Sequence, residues 1–206
     1  MAPLLTATAY FPPAAYIAAC LTTGSAVIEL HETWPKQTCR NHCDIAGPNG
    51  RQKLTVPVIK PDGNHTKTGE ILIGYDLPWQ KVHLRSILTA YNRSPFLIHY
   101  IDRFMPFFEK RYDRIVDLNA EILKATADLL GVPLEIGFTE GYVKSPANMA
   151  DRRTDLVAKH RGHAMGYPVY TQPFTERYGF LENLSVLDLI FCLGPEAKAY
   201  LWRLLR

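Results

Sequence analysis

The residues best suited to chemistry lie between His31 and His42, in the run HETWPKQTCRNH. His31 could act as a general base, since an imidazole titrates near neutral pH. Lys36, Arg40 and Asn41 could hold phosphate or carbonyl oxygens, Arg40 through the paired N–H bonds of its guanidinium. Each of these residues also has a plainer reading as a surface or hydrogen-bonding group. Cys39 and Cys43, with His31 and His42 nearby, raise the question of a metal. In an extended segment, residues four apart sit about 13 Å from each other, too far to share one zinc ion. The expectation is therefore no metal, and nothing in the sequence names a cofactor.

A hairpin is the element expected to carry this cluster. Gly47-Pro48-Asn49-Gly50 reads as its turn, because Pro presets φ and Asn-Gly tolerates positive φ. Leu54-Thr55-Val56-Pro57-Val58 alternates as the returning strand. The outgoing arm, Cys39 to Ile45, alternates too: Cys39, Asn41, Cys43 and Ile45 on one face, Arg40, His42 and Asp44 on the other. Upstream, Leu4 to Tyr10 reads as a strand stopped by Phe11-Pro12-Pro13. Ala14 to Leu21 follows as a helix ending near Gly24, then Ala26 to Leu30 as a second strand. Strand, short helix, strand begins a βαβ pattern, and ligands often bind at the first turn of such a unit. Tyr10 is thus a candidate substrate-binding residue, and it fits equally as a core aromatic.

Downstream, Lys60 to Thr68 is a polar loop and Glu70 to Tyr75 a strand. Pro78 opens a helix running to about Tyr91, with Trp79, His83, Ile87 and Tyr91 in one stripe. His83 is a further substrate-binding candidate, though a lone His on an apolar face is commonly a satisfied core residue. Phe96 to Phe104 is a short aromatic helix that Pro106 restarts. Ile115 to Leu130 has the clearest helical period, ended by Gly131 and Pro133. Leu134, Ile136 and Phe138 alternate as a strand. Residues 140–167 are polar and basic, with a short helix expected over 151–160. Such a segment could close over an anionic ligand or simply be solvated surface. Val169 to Phe174 reads as a last strand. Ser185-Val186-Leu187-Asp188 has the capping-box pattern, which would aim the Asp188 carboxylate at a free N–H of the helix start. Asp188 is also kept as a substrate-binding candidate. A final helix runs from Glu196 to Arg206.

These elements give an α/β fold class: a single compact domain, 1–206, with a mainly parallel or mixed sheet flanked by helices and a β-hairpin insertion. The length of 206 residues supports one large core. A net charge of +3 is too small to argue for nucleic acid. Four cysteines in a chain of this size fit a reducing setting better than a disulfide framework. The apolar N-terminus lacks a basic residue before Lys36 and is interrupted by Pro12-Pro13, so neither a secretory signal nor a membrane span is expected. The expectation is a cytoplasmic protein. P-loop, GxGxxG, GxSxG and HExxH motifs are absent from the sequence.

Several stretches together resemble the WbqC-like protein family. They are Tyr10-Phe11-Pro12-Pro13; the His31-to-Asn41 run; Gly47-Pro48-Asn49-Gly50; Leu54 to Val58; and Asn183-Leu184-Ser185-Val186-Leu187-Asp188-Leu189. Trp79 with His83-Leu84, Ser94-Pro95-Phe96 and Asp117-Leu118-Asn119 also fit. Gly-Asn-His-Thr-Lys at 63–67 is similar to the branch found in Bacteroidetes-type bacteria. The chain departs from longer relatives at 140–168, where they carry a further α/β segment with a Ser-Gly-Pro-Ser-type turn.

The resemblance implies a transferase in bacterial surface-polysaccharide (O-antigen-like) biosynthesis, moving an aminoacyl, glycyl or other acyl group onto a sugar. The substrate would be a sugar or nucleotide-sugar, and the partners polysaccharide-biosynthesis enzymes. On that reading His31, Lys36, Arg40 and Asn41 are the catalytic set, with Tyr10, Trp34, His83 and Asp188 around the substrate. Two alternatives stand beside it. One is a nucleotidyltransferase-like enzyme, although the paired His of such enzymes is missing from the turn at Tyr10. The other is a non-catalytic partner in a polysaccharide assembly complex.

Overall fold

The computed structural model describes residues 2–36, 38–154, 156 and 166–204. In chain order the elements are β1 (Leu4–Thr6), α1 (Ala14–Thr23), β2 (Ser25–Ile28), the hairpin β3 (His42–Gly47) and β4 (Gly50–Thr55), and β5 (Val58–Ile59). Next come β6 (Leu72–Ile73), α2 (Trp79–Tyr91), α3 (Leu97–Tyr100), α4 (Pro106–Glu109), α5 (Ile115–Leu129) and β7 (Glu135–Phe138). β8 (Ala150–Asp151), α6 (Thr175–Tyr178), α7 (Val186–Leu193) and α8 (Ala197–Arg203) complete the set.

The main sheet is parallel throughout, in the order β7-β2-β1-β8. Leu4, Leu5 and Thr6 of β1 are all buried, as expected of a central parallel strand covered on both faces. Outer strand β7 is more exposed, with Phe138 at 45%. By chain order the four strands lie 3-2-1-4. β1 therefore has the second strand on one side and the last on the other, which makes β1/β8 the switch point of an open α/β sheet.

Helix α1 packs on β1 and β2 and against α7 and α8. Its N-terminus begins after Pro13, which offers no side-chain cap. The missing acceptors come from far along the chain: Asn183 Oδ1 takes the Ala15 N–H at 3.0 Å, and the Leu184 carbonyl takes the Ala14 N–H at 3.1 Å. Asn183 sits at φ 51, a left-handed conformation that Asn tolerates better than most residues. At its other end, α1 stops at Gly24, φ 65, where a side chain would be strained.

The hairpin forms with Gly47 paired to Gly50, as the turn chemistry predicts. Its outgoing strand starts at His42, however, so Cys39 and Arg40 lie in the preceding turn and the expected alternation does not reach Arg40. The stripe Trp79, His83, Ile87 and Tyr91 of α2 is buried. Val169 to Phe174 is not a strand. Gln172 and Thr175 close a turn on each other, Gln172 N–H to Thr175 Oγ1 at 3.1 Å and Thr175 Oγ1 to the Gln172 carbonyl at 2.8 Å, with Phe174 at φ 63. That geometry is incompatible with extended pairing. The helix expected at 151–160 falls largely outside the described residues, and Asp151 belongs to β8. No helix among the described residues is long and apolar enough to cross a membrane.

Candidate functional site

The polar residues of interest collect where the parallel strands end. Glu29 follows β2 directly and is fully buried. Its Oε1 accepts the His31 N–H and the Thr139 hydroxyl, both at 2.9 Å. Its Oε2 accepts the Val143 N–H at 3.0 Å and Arg153 Nη1 at 3.2 Å. One carboxylate thus ties together the chain segments leaving β2, β7 and β8. Burial pushes its pKa up, but the N–H groups of Val143 and His31, the Thr139 hydroxyl and the Arg153 charge outweigh it and hold the value below the usual glutamate range.

Arg153 is itself clamped. Asp151 takes its Nε at 2.9 Å and its Nη2 at 2.6 Å, a two-point pair, and its guanidinium lies over the Tyr142 ring. The pair raises the Arg153 pKa and lowers that of Asp151. A second ion pair lies alongside. Arg40, 2% exposed, gives Nε and Nη2 to Glu32 Oε1 at 3.0 and 2.7 Å, and Nη2 also reaches the Arg153 carbonyl at 3.4 Å. Both guanidiniums are thus already engaged by protein oxygens, and three carboxylates face two arginines. This edge is no ready-made phosphate cradle.

His31 is the half-buried group here whose ring is oriented but not consumed. Its Nε2 lies 3.1 Å from the Thr139 carbonyl oxygen. A carbonyl can only accept, so in the neutral ring Nε2 carries the hydrogen and Nδ1 keeps its lone pair. The arrangement has the parts of a general base: a fixed tautomer, a held backbone, and a position at the carboxyl ends of parallel strands. Among the described residues, no group of three or more His, Cys, Asp or Glu could hold a metal ion.

The other candidates from the sequence are distributed. Lys36 is exposed on the same loop. Asn41 turns to the hairpin, donating Nδ2 to the Val56 carbonyl at 2.9 Å, while the Asn41 carbonyl takes the Val56 N–H at 2.8 Å. Trp34 is buried, its backbone N–H on the Thr66 carbonyl at 3.0 Å. Tyr10 and His83 form a buried pair, the hydroxyl 3.0 Å from Nδ1, enclosed by Trp79. Burial lowers the His83 pKa to about 4, so the ring is neutral. Asp188 is fully buried on α7, but its carboxylate does not cap the helix. Ser185 Oγ does, accepting the Leu187 N–H at 3.3 Å, while the Ser185 N–H goes to the Asp44 carbonyl. Asp188 instead takes Tyr91 OH at 2.8 Å, Tyr170 OH at 2.5 Å and Gln172 Nε2 at 2.9 Å.

Comparison with known proteins covers most of the same stretches of sequence, Asn183 to Leu189 lying beyond the family match. The model of the WbqC-like protein family matches residues 8–165. The chain belongs to the WbqC-like protein family. An uncharacterized protein of Mycobacterium tuberculosis (strain ATCC 25618 / H37Rv), Rv1507c, is 26% identical over 199 residues, covering 82% of this chain and 83% of its own length. No solved structure gives a significant match. The family match begins just after β1 and includes β2, β7 and β8, and with them the whole Glu29 cluster. Glu29, Thr139 and Arg153 were not singled out by sequence reasoning. Glu29 did leave a signal, a carboxylate inside the apolar run AVIEL, since a buried acid demands donors. Thr139 left none, because its partner is a side chain 110 positions away.

Proposed function

We propose that this WbqC-like protein is a transferase of bacterial surface-polysaccharide assembly, moving an acyl or aminoacyl group onto a sugar, with His31 as its base. The observation that carries the reading is the His31 ring at the carboxyl edge of the sheet, its Nε2 3.1 Å from the Thr139 carbonyl oxygen, which makes Nδ1 the lone-pair nitrogen of the neutral ring. Nδ1 takes the proton of the attacking sugar hydroxyl or amine as the new C–O or C–N bond forms at the acyl carbon. The tetrahedral oxyanion then collapses, expelling the leaving group with its bonding electrons. Lys36, exposed near His31 in sequence, is the cation free to meet the developing negative charge. Glu29 and Arg153 hold the loops and stay out of the chemistry.

The strand order β7-β2-β1-β8 favours a second reading, a nucleotidyltransferase-like enzyme with its nucleotide at the β1/β8 switch point. One experiment addresses both. The protein is screened by thermal shift against nucleotide-sugars, acyl thioesters and nucleoside triphosphates, and each stabilising pair is incubated and analysed by mass spectrometry. An acyl-sugar product, lost in His31→Gln while the ligand-induced shift persists, is the expected result. Release of pyrophosphate would move the assignment to nucleotidyl transfer. Failure of every ligand to stabilise the protein, with stoichiometric co-purification of a second chain, would replace both with a partner role.

A further inference from the structure

A cavity away from the sheet edge has a volume of about 630 Å³, within the range of small-molecule sites. One wall is the loop Arg93-Ser94-Pro95, another the turn from Thr171 to Arg177, and Cys192 of α7 contributes to the lining. Most of this lining lies beyond the residues matched by the family model.

Both walls are built in advance of any ligand. The Arg93 loop is pinned to α7: the Phe96 N–H donates to the Phe191 carbonyl at 3.1 Å, and the Phe96 ring sits where a Gly194 Cβ would come within 2.5 Å of it. Gly194 is thus required by close approach as well as by its φ of 50. The opposite turn is pinned by Gln172, whose amide donates to Tyr170, Leu181 and Asp188 and accepts the Leu181 N–H at 2.8 Å. Phe174, at φ 63, holds a left-handed conformation that is strained for a non-glycine residue. Rigid walls keep the space open, so a ligand meets little ordering cost.

The lining has a definite chemistry. Arg93 lines the cavity from an exposed position. Arg177 gives one N–H to the Pro48 carbonyl at 3.4 Å, and its guanidinium lies over the Tyr178 ring. Glu176 is the single carboxylate in the lining, so two guanidiniums outnumber it. Pro95, Pro173 and Phe174 supply apolar surface. Two guanidinium forks suit an anion with several oxygens and close to two charges, and the apolar surface suits a ring.

We infer that this cavity is a binding site for a ring-bearing phosphomonoester, its phosphate between Arg93 and Arg177 and its ring against Phe174 and Pro95. The site is separate from the His31 edge and stands whether or not that edge is catalytic.

The test titrates 15N-labelled full-length protein with phenyl phosphate, uridine 5′-monophosphate, inorganic phosphate and uridine. Phenyl phosphate or the nucleotide is expected to shift amides of Arg93, Ser94 and Thr171 to Arg177. Arg93→Ala and Arg177→Ala should each weaken binding about tenfold, and Phe174→Ala by less, while His31→Gln leaves it unchanged. Inorganic phosphate should bind more weakly, and uridine not at all. Equal binding of inorganic phosphate and both esters would reduce the site to a generic anion patch and overturn the inference. So would binding lost in His31→Gln but indifferent to both arginines, or no shift from either ester at millimolar concentration. Arg93 is exposed, so its substitution tests the site without threatening the fold.

Discussion

Glu29 and Asp188 are both fully buried carboxylates, yet they are solvated in opposite ways. Glu29 is met by two backbone N–H groups, a hydroxyl and the Arg153 guanidinium. Asp188 is met by two phenols and an amide, all neutral. Burial pushes the Asp188 pKa above the usual range, and neither the hydrogen bonds of Tyr170, Tyr91 and Gln172 nor the weaker pull of the Arg51 charge brings it back. For Glu29 the balance falls the other way. A neutral hydrogen bond serves the acid and the anion almost alike, whereas a nearby cation and fixed backbone dipoles reward the anion alone.

The difference predicts different mutational costs. Glu29→Gln leaves Arg153 partly uncompensated, and loss of one partner of a buried pair costs about 4 kcal/mol, readable by urea denaturation at neutral pH. The pH dependence has its own sign. The folded-state pKa of Glu29 is depressed, so its contribution is present above the ordinary value of 4.5 and disappears as pH falls through the folded value. The folded-state pKa of Asp188 is raised, so its contribution is present below the ordinary value of 3.8 and is lost as pH rises through the folded value.

His83 sharpens the comparison from the basic side. Its pKa drops from 6.5 to about 4, so the folded state resists protonation. Stability held above pH 6.5 should fall as pH drops toward 4, by about 3 kcal/mol. Thermal melts of the wild type and His83→Gln across that window isolate this term as the difference between the two curves. Equal slopes would mean that the His83 ring is not buried as described.

Asp188→Asn should cost only about 1 kcal/mol at neutral pH, because every partner is neutral and an amide can still accept from a phenol. A loss as large as that of Glu29→Gln would break the contrast and imply a cation at Asp188. Asn41→Ala should cost about 1 kcal/mol through its lost bond to Val56. Lys36→Ala, at an exposed position, should stay within about 0.5 kcal/mol by the same denaturation measurement, so any larger effect on turnover would be chemical rather than structural.

Much of the fold was legible locally. The Pro12-Pro13 start and Gly24 stop of α1, the turn at Gly47 to Gly50, and the buried stripe of α2 all follow from residue types at short spacing. Errors arose where a distant partner decided the outcome. Val169 to Phe174 alternates like a strand, but the Gln172 side chain bonds Leu181 and Asp188 and bends the backbone into a turn. Ser185 to Asp188 spells a capping box, yet the Ser185 N–H is already taken by Asp44, so Asp188 has no reason to cap. The candidate site divides along the same line. His31 was legible as a candidate base because its type and position follow a predicted strand. Its tautomer was not, because Thr139 lies 108 positions away.

The sequence by itself determined the α/β alternation, the hairpin and the apolar faces, since these depend on backbone preferences and periodicities of a few residues. Only the tertiary structure decided the strand order, which acid received a cation, and which ring nitrogen of His31 was left free. Those outcomes depend on contacts between groups about a hundred positions apart, where no local preference of the chain constrains the partner.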